Sequence, residues 1–282
     1  MLTRITFRRN DDLARPSQLN ADTRFEYEDA ADCFVGTLEK YDHIYRGYSS
    51  GWCGGSLHYY VNAAQLDAID PKHFGKYTSQ AHDAVAKAFG AAAQVQHLED
   101  ATDDRQFTRW EDSSSLYLFF TAFRVTAPVT CGDSGDAIPS YQLPISDETR
   151  EGLYFWASEY QANDRLWFAS GALELPTYRQ LADPTSELSQ AGRDLCKSVE
   201  DATEKPTYYY MMRYHGRLSG EETRACPGCG DTWHVRDEDL QDEPFHNFHF
   251  RCETCRLVSS VASNCEEGEE HAEIGEFHPA SK

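Results

Sequence analysis

The N-terminal hundred residues alternate between the two-residue period of a strand and the longer period of an amphipathic helix. Ile5 and Phe7 alternate with polar neighbours, which predicts a first strand, and apolar residues at helical spacing follow between Tyr27 and Tyr41. The remaining patterns complete the order strand, helix, strand, strand, helix, strand. We therefore predict a ferredoxin-like domain over residues 1–100.

A second set of apolar patterns occupies residues 116–213. The run from Leu116 to Val125 predicts a strand, and residues 138–143 predict a returning strand that completes a β-hairpin. Helical spacing then predicts two helices, the first capped by Ser146 and the second beginning at Asp183-Pro184. The predicted fold class is α+β, with a central region made of a β-hairpin and two helices.

Two Cys-x-x-Cys pairs, separated by twenty-two residues, mark the C-terminal region. Two tight turns that each present two thiolates at this spacing are typical of a tetrathiolate zinc site. Disulfides and unrelated buried thiols are alternatives, and His246 or His249 could compete as a ligand. We predict a zinc ribbon over residues 219–262. Its expected ligands are Cys226, Cys229, Cys252 and Cys255.

The predicted metal is one structural Zn²⁺. Four thiolates leave no coordination position for water or substrate, which a catalytic zinc requires. A ribbon of this size buries little apolar surface, so metal binding is expected to supply most of its folding free energy. Residues 263–282 are acidic, and we predict a disordered tail there.

Composition restricts the class of partner. No apolar run is long enough to span a bilayer, and the N-terminus lacks the apolar core of a signal peptide. Nine scattered cysteines suit a reducing compartment, so we expect a cytoplasmic protein without a membrane partner. The net charge is −21, whereas a nucleic-acid binder needs a basic patch. The positive residues available near the ribbon cysteines are Arg224, Arg251 and Arg256.

The sequence offers no assembled catalytic constellation. Gly132-Asp-Ser-Gly135 is similar to a protease nucleophile loop, but no base segment accompanies it, and turn chemistry explains it better. Cys53 lies in a glycine-rich loop, which we interpret as a connection between strands. We therefore predict no catalytic residues and do not expect an enzyme.

Several segments occur together in an order typical of one family. They are Cys131-Gly-Asp, Gly192-Arg-Asp-Leu, Pro206-Thr-Tyr-Tyr-Tyr, Cys226-Pro-Gly-Cys and Phe248-His-Phe-Arg-Cys-Glu-Thr-Cys-Arg-Leu-Val-Ser. Over residues 116–262 the chain resembles a bacterial family of unknown function, described as zinc-ribbon proteins with a suggested role in nucleic-acid binding. The resemblance implies that the four ribbon cysteines bind metal, and it implies no catalytic residue.

Two hypotheses follow for the function. In the first, the ribbon binds nucleic acid or a nucleic-acid-processing assembly through the three arginines. In the second, the zinc is purely structural, and the acidic surface of a protein–protein adaptor binds a basic protein partner.

Overall fold

The N-terminal pattern forms a four-stranded antiparallel sheet with two helices on one face. The computed structural model describes residues 1–9, 21–99, 107–121, 127–235, 248–265 and 270–279. The sheet order is β2-β3-β1-β4, which is the order of a ferredoxin-like fold. The elements are β1 (Leu2–Arg8), α1 (Ala21–Lys40), β2 (Ile44–Cys53), β3 (Ser56–Ala63), α2 (Lys76–Phe89) and β4 (Gln94–Glu99).

Alternation along β1 and β3 decides which side chains enter the N-terminal core. Ile5 and Phe7 are buried together with Tyr59 from β3, because alternate side chains of a strand point to the same face. Phe34 of α1 and Phe89 of α2 close this core from the helix side. The ferredoxin-like prediction is confirmed, since both the element order and the one-sided helix layer are as expected.

The remaining described elements form a second body. They are β5 (Leu116–Leu118), β6 (Val129–Cys131), α3 (Asp147–Ala169), α4 (Glu174–Ala182), α5 (Glu187–Thr203), β7 (Thr207–Met211), β8 (His215–Gly216), β9 (Phe250–Cys252), β10 (Leu257–Ser259) and β11 (Asn264–Cys265). Chain contacts separate a first unit (Met1–Phe107, Val125–Ala127 and Pro139–Gln142) from a second unit (Thr108–Arg124, Pro128–Ile138 and Leu143–Lys282).

The second unit is built on a five-stranded sheet of order β6-β5-β7-β10-β9. β5 and β6 are antiparallel, so the predicted central hairpin is present, although its returning strand is Val129–Cys131. Residues 138–143 instead contain a 3₁₀ turn at Ser140–Gln142. β10 pairs in parallel with β7 and antiparallel with β9, so the cysteine-rich hairpin extends the central sheet.

Three helices, not two, connect β6 to β7. Ser146 caps α3 as predicted, because its side chain accepts a hydrogen bond from the Thr149 amide. The additional helix is α4, and Asp183, which was expected to begin the next helix, ends it. The cap of α5 is Ser186, whose hydroxyl accepts from the Ser189 amide.

The structure describes part of the acidic segment 263–282, where the sequence predicted disorder. Residues 263–265 and 270–279 are ordered, and Ile274 packs in a buried cluster with Tyr178. Glu276 is also buried, because its carboxylate binds the buried guanidinium of Arg213. Isolated apolar residues and one buried ion pair therefore fix this segment despite its charge.

Candidate metal centre

The four ribbon cysteines converge on one point. Their sulfur atoms all lie within 4.8 Å of one another, and Cys229 Sγ is 3.7 Å from Cys252 Sγ. Sulfurs on a tetrahedron with metal–sulfur bonds of about 2.3 Å lie about 3.8 Å apart. A disulfide requires about 2.05 Å, so this pair of sulfurs is not a disulfide. The spacing of the cluster suits a tetrahedral metal ion.

Local turn geometry explains how each Cys-x-x-Cys pair presents its sulfurs. In the first turn, the Gly230 amide donates to the Cys226 carbonyl over 2.8 Å, and Gly230 adopts a left-handed φ of 80°. A Cβ on Gly228 would lie only 2.7 Å from Cys255 Sγ. In the second turn, the Cys255 amide donates to Cys252 Sγ over 3.3 Å. Glycine is therefore required where the two turns meet.

Burial and mutual proximity oppose ionisation of two of these thiols. Burial raises the pKa of Cys226 to about 12, and burial together with repulsion from Cys226 also raises the pKa of Cys255. Burial also opposes ionisation of Cys252, but hydrogen bonds from the Cys255 amide and the neighbouring thiols hold its pKa below the ordinary value. Four thiolates this close need a cation among them to remain ionised together.

The histidine alternatives do not join the cluster within the part of the chain that the structure describes. His249 Nδ1 lies 3.4 Å from the Val261 amide nitrogen, which donates to it, and the residue is not part of the metal-ligating group. His246 lies outside the described residues. A four-cysteine set is therefore the donor set that the described residues bring together.

Two of the cysteines also belong to the main core of the second unit. Cys226 is fully buried and Cys252 nearly so, in one cluster with Trp233, Phe250 and Leu257. The same cluster contains apolar side chains from α3, α5, β5 and β7. The candidate metal centre thus lies at the margin of the core that supports the five-stranded sheet.

Arg224, one of the three arginines expected from the sequence to bind nucleic acid, is buried beside this centre. Its guanidinium carbon lies 4.0 Å from the centroid of the Phe250 ring and 4.6 Å from that of Trp233. Its Nε lies 3.4 Å from a carboxylate oxygen of Glu221. Burial lowers the pKa of Arg224 to about 10, since desolvation disfavours the charged form.

Arg251 and Arg256 lie on either side of the second turn and both contact Tyr208. Arg251 donates to the Tyr208 hydroxyl over 2.7 Å, and its Nε is 2.7 Å from Glu253. Arg256 binds Glu200 through Nε and Nη2 and also pairs with Glu253 over 3.0 Å. These guanidinium groups have protein carboxylates as partners, and their role in nucleic-acid binding stays a prediction.

Only one partner of these two arginines is recognisable in the sequence. Glu253 was recognisable, because it lies three residues before Arg256 and between two cysteines. Glu200 and Tyr208 come from α5 and β7, and only the folded sheet brings them to the second turn. The sequence therefore indicates the local ion pair with Glu253 but not the contacts with Glu200 and Tyr208.

The two segments considered for catalysis form turns. Asp133 accepts a hydrogen bond from the Ser114 amide over 2.6 Å, and the Ser134 hydroxyl donates to Asp136. Cys53 ends β2 and pairs with Ser56 across a two-glycine turn with positive φ at both positions. Both segments are connections, as interpreted from the sequence.

Among the described residues, no helix is long and apolar enough to cross a membrane.

Comparisons with family models match the second unit. Two family models match, each described as a domain of unknown function: DUF2310 over residues 111–212 and DUF8594 over residues 216–265. Two uncharacterized proteins of Haemophilus influenzae are each 35% identical over 167 residues, or 58% of this chain. The matched region covers 77% of the first and 60% of the second.

Two solved structures are similar to a smaller part of the chain. One is Rv0793 from Mycobacterium tuberculosis, with a TM-score of 0.27 and 16% identity, covering 36% of this chain and 96% of that one. The other is a putative antibiotic biosynthesis monooxygenase from Caulobacter crescentus, with a TM-score of 0.27 and 15% identity, covering 36% and 89%. At these scores the similarities carry no functional argument.

Proposed function

The chain belongs to the family of these uncharacterized bacterial proteins, and we propose that its cysteine cluster binds one Zn²⁺ as a structural centre. The observation that carries the proposal is the convergence of four sulfurs within 4.8 Å. Zinc suits this donor set, because a tetrahedral arrangement of four thiolates is its commonest structural coordination. Neither family model names a metal, so the proposal depends on this geometry.

The metal would stabilise the fold and would not take part in a reaction. Cys226, Cys229, Cys252 and Cys255 fill all four tetrahedral positions, and a reactive zinc needs one position open. The second of the two turns joins β9 to β10 at the end of the sheet. One ion bound by the cysteines of both turns would fix the register of β10 against β7, which is the role we assign to the metal.

Metal content and thiol accessibility test this proposal. We expect about one zinc per chain in protein purified without chelator, because the four ligands make one site. Chelation with EDTA should release the zinc together with four newly titratable thiols. The control is Cys265→Ser, which removes an exposed cysteine outside the cluster and should retain the metal. Protein with no zinc, or with zinc retained by Cys252→Ser, would refute the proposal.

We further propose that the zinc-bound unit acts as a protein–protein adaptor for a basic partner. The net charge of −21 supports this, because an acidic surface attracts positive partners and repels phosphates. The ion pairs of Arg251 and Arg256 also support it, since a phosphate would have to displace protein carboxylates. Nucleic acid is the competing ligand predicted from the sequence.

Anisotropy titrations separate these two ligands. We expect labelled single- and double-stranded DNA and RNA to show no salt-dependent binding at low ionic strength, because counterion release requires unpaired positive groups. The double variant Arg251→Gln/Arg256→Gln should leave that result unchanged. Salt-dependent binding that this variant abolishes would establish the nucleic-acid hypothesis instead. If nucleic acid does not bind, a protein partner captured from nuclease-treated lysate would be tested for a basic net charge and for direct binding.

A further inference from the structure

An open cleft of about 430 Å³ lies in the first unit beside the edge strand β4, outside the candidate metal centre. We propose that this cleft binds a small neutral aromatic molecule that carries a hydroxyl group, of the phenol class. The cleft volume is within the range of small-molecule sites, which are typically apolar with a few polar groups. The inference does not depend on zinc.

Three aromatic rings in mutual contact form one wall of the cleft. Phe34 and Phe74 are 5.7 Å apart between centroids in an edge-to-face arrangement, and the His82 ring lies 5.4 Å from Phe34 and 5.6 Å from Phe74. Rings at these distances favour a further ring in an offset or edge-to-face position. A planar aromatic ligand would therefore extend a packing pattern that is already present.

Two other large apolar side chains of the cleft are exposed. Val95 of β4 is 41% exposed and Leu66, before α2, is 66% exposed. Val95 pairs with Ile5 and points to the helix side of the sheet, where neighbouring residues such as Ile5 are fully buried. A ligand in the cleft would remove this apolar surface from water, which is a favourable term.

His97 provides a fixed polar group in the cleft. Its Nδ1 lies 3.0 Å from the Oγ1 atom of Thr3, which is fully buried, so Nε2 is the ring nitrogen that faces a ligand. Nε2 donates in one tautomer and accepts in the other. A hydroxyl group both donates and accepts, so it can bind Nε2 in either tautomer, whereas a carbonyl oxygen can only accept.

Charge at the cleft disfavours an anionic ligand. Asp67 and Asp70 line it, and hydrogen bonds from His73 and Lys72 hold the pKa of Asp67 at about 2. Lys72 pairs with both carboxylates, at 2.7 Å and 3.6 Å, so one lysine faces two negative groups. An anionic ligand would be repelled by these carboxylates, whereas a neutral ligand would not be.

Fluorescence titration of the 282-residue chain, purified without chelator, with 2-naphthol tests the proposal. We expect saturable binding at one site. 2-Naphthoate has the same rings but carries a negative charge, and naphthalene lacks the hydroxyl. Both should bind at least about tenfold more weakly than 2-naphthol. The carboxylates of the cleft repel 2-naphthoate, and naphthalene cannot form the hydrogen bond to His97.

Two tryptophan variants on the same strand locate the site. Val95→Trp fills the cleft and should weaken 2-naphthol binding at least about tenfold, because the indole occupies the volume that the ligand needs. Gln96→Trp is the matched control. Gln96 is exposed and pairs with Arg4 on the opposite face of the sheet from Val95 and His97, so binding should be unchanged.

A third variant keeps the test decisive if Val95→Trp does not fold, as judged by circular dichroism. His97→Ala should remove the preference for 2-naphthol over naphthalene while retaining naphthalene binding. The proposal is overturned if 2-naphthol does not saturate. It is equally overturned if folded Val95→Trp binds like the wild type, or if His97→Ala keeps the preference.

Discussion

The two units of the chain obtain their cores in different ways. The first unit closes around aliphatic and aromatic side chains of β1, β3, α1 and α2, and no cysteine belongs to that cluster. The core of the second unit includes Cys226 and Cys252 together with apolar side chains of β5, β7, β9 and β10. The core of the first unit therefore depends on apolar burial, whereas that of the second combines burial with a donor set suited to a metal. We expect the two units to respond differently when a metal ligand or a buried ion pair is removed.

The largest effect should follow loss of a metal ligand. Cys252→Ser is expected to destabilise the second unit by about 5 kcal/mol or more, because it removes a ligand and leaves a polar group in the core. Hydrogen exchange by mass spectrometry should show loss of protection in β7, β9 and β10 with protection in β1 and β3 unchanged. Equal loss in both units would show that the contrast between them is wrong. Cys265→Ser, at an exposed position, is the control.

A smaller effect is expected from the buried ion cluster of the second unit. Arg213 binds Glu221 through two nitrogens and Glu276 over 2.7 Å, and all three side chains are nearly inaccessible. Glu276→Gln should cost about 2–3 kcal/mol, since it weakens a charge-assisted contact to a buried arginine.

Urea denaturation followed by tryptophan fluorescence would measure this cost. The control is Glu273→Gln, in the same segment but exposed, which should change stability by less than about 0.5 kcal/mol. A similar change for both variants would mean that the burial of Glu276 contributes nothing.

The smallest effects concern two glycines of the first unit, one within α1 and one directly after α2. Gly90 follows α2 with a φ of 71°, so Gly90→Ala should destabilise this unit by about 1 kcal/mol. Gly36 lies within α1 with open space around its Cα, so Gly36→Ala should stabilise it by about 0.5–1 kcal/mol. Opposite shifts in thermal midpoint are expected for these variants, and shifts of the same sign would contradict the helix-propensity argument.

Sequence periodicity was sufficient for the first unit and insufficient for the second. Ile5 and Phe7 alternate cleanly, because their strand has one face against helices. α4 was missed, since it is short and has Pro176 in its first turn, and Asp183 was read as the start of the following helix. A proline near the start of a helix is compatible with that helix, but it obscures the signal.

Long-range pairing set the limit for the candidate site. The cysteine spacing predicted the cluster, because the two turns depend on local chemistry. Tyr208 and Glu200, the distant partners of Arg251 and Arg256, come from β7 and α5, more than forty residues earlier in the chain, and no local pattern links them. Strands of three residues such as Leu257–Ser259 are too short to show a period.

The position of β10 has a consequence for how the protein is made. Translation delivers β5, α3, α5 and β7 well before Leu257–Ser259, yet β10 lies between β7 and β9 in the finished sheet. Until those last strands leave the ribosome, one side of β7 has unpaired amide and carbonyl groups beside aromatic residues. An open strand edge of this kind recruits other chains. The nascent polypeptide is thus most exposed to aggregation during the synthesis of about fifty residues, from Met211 to Ser259.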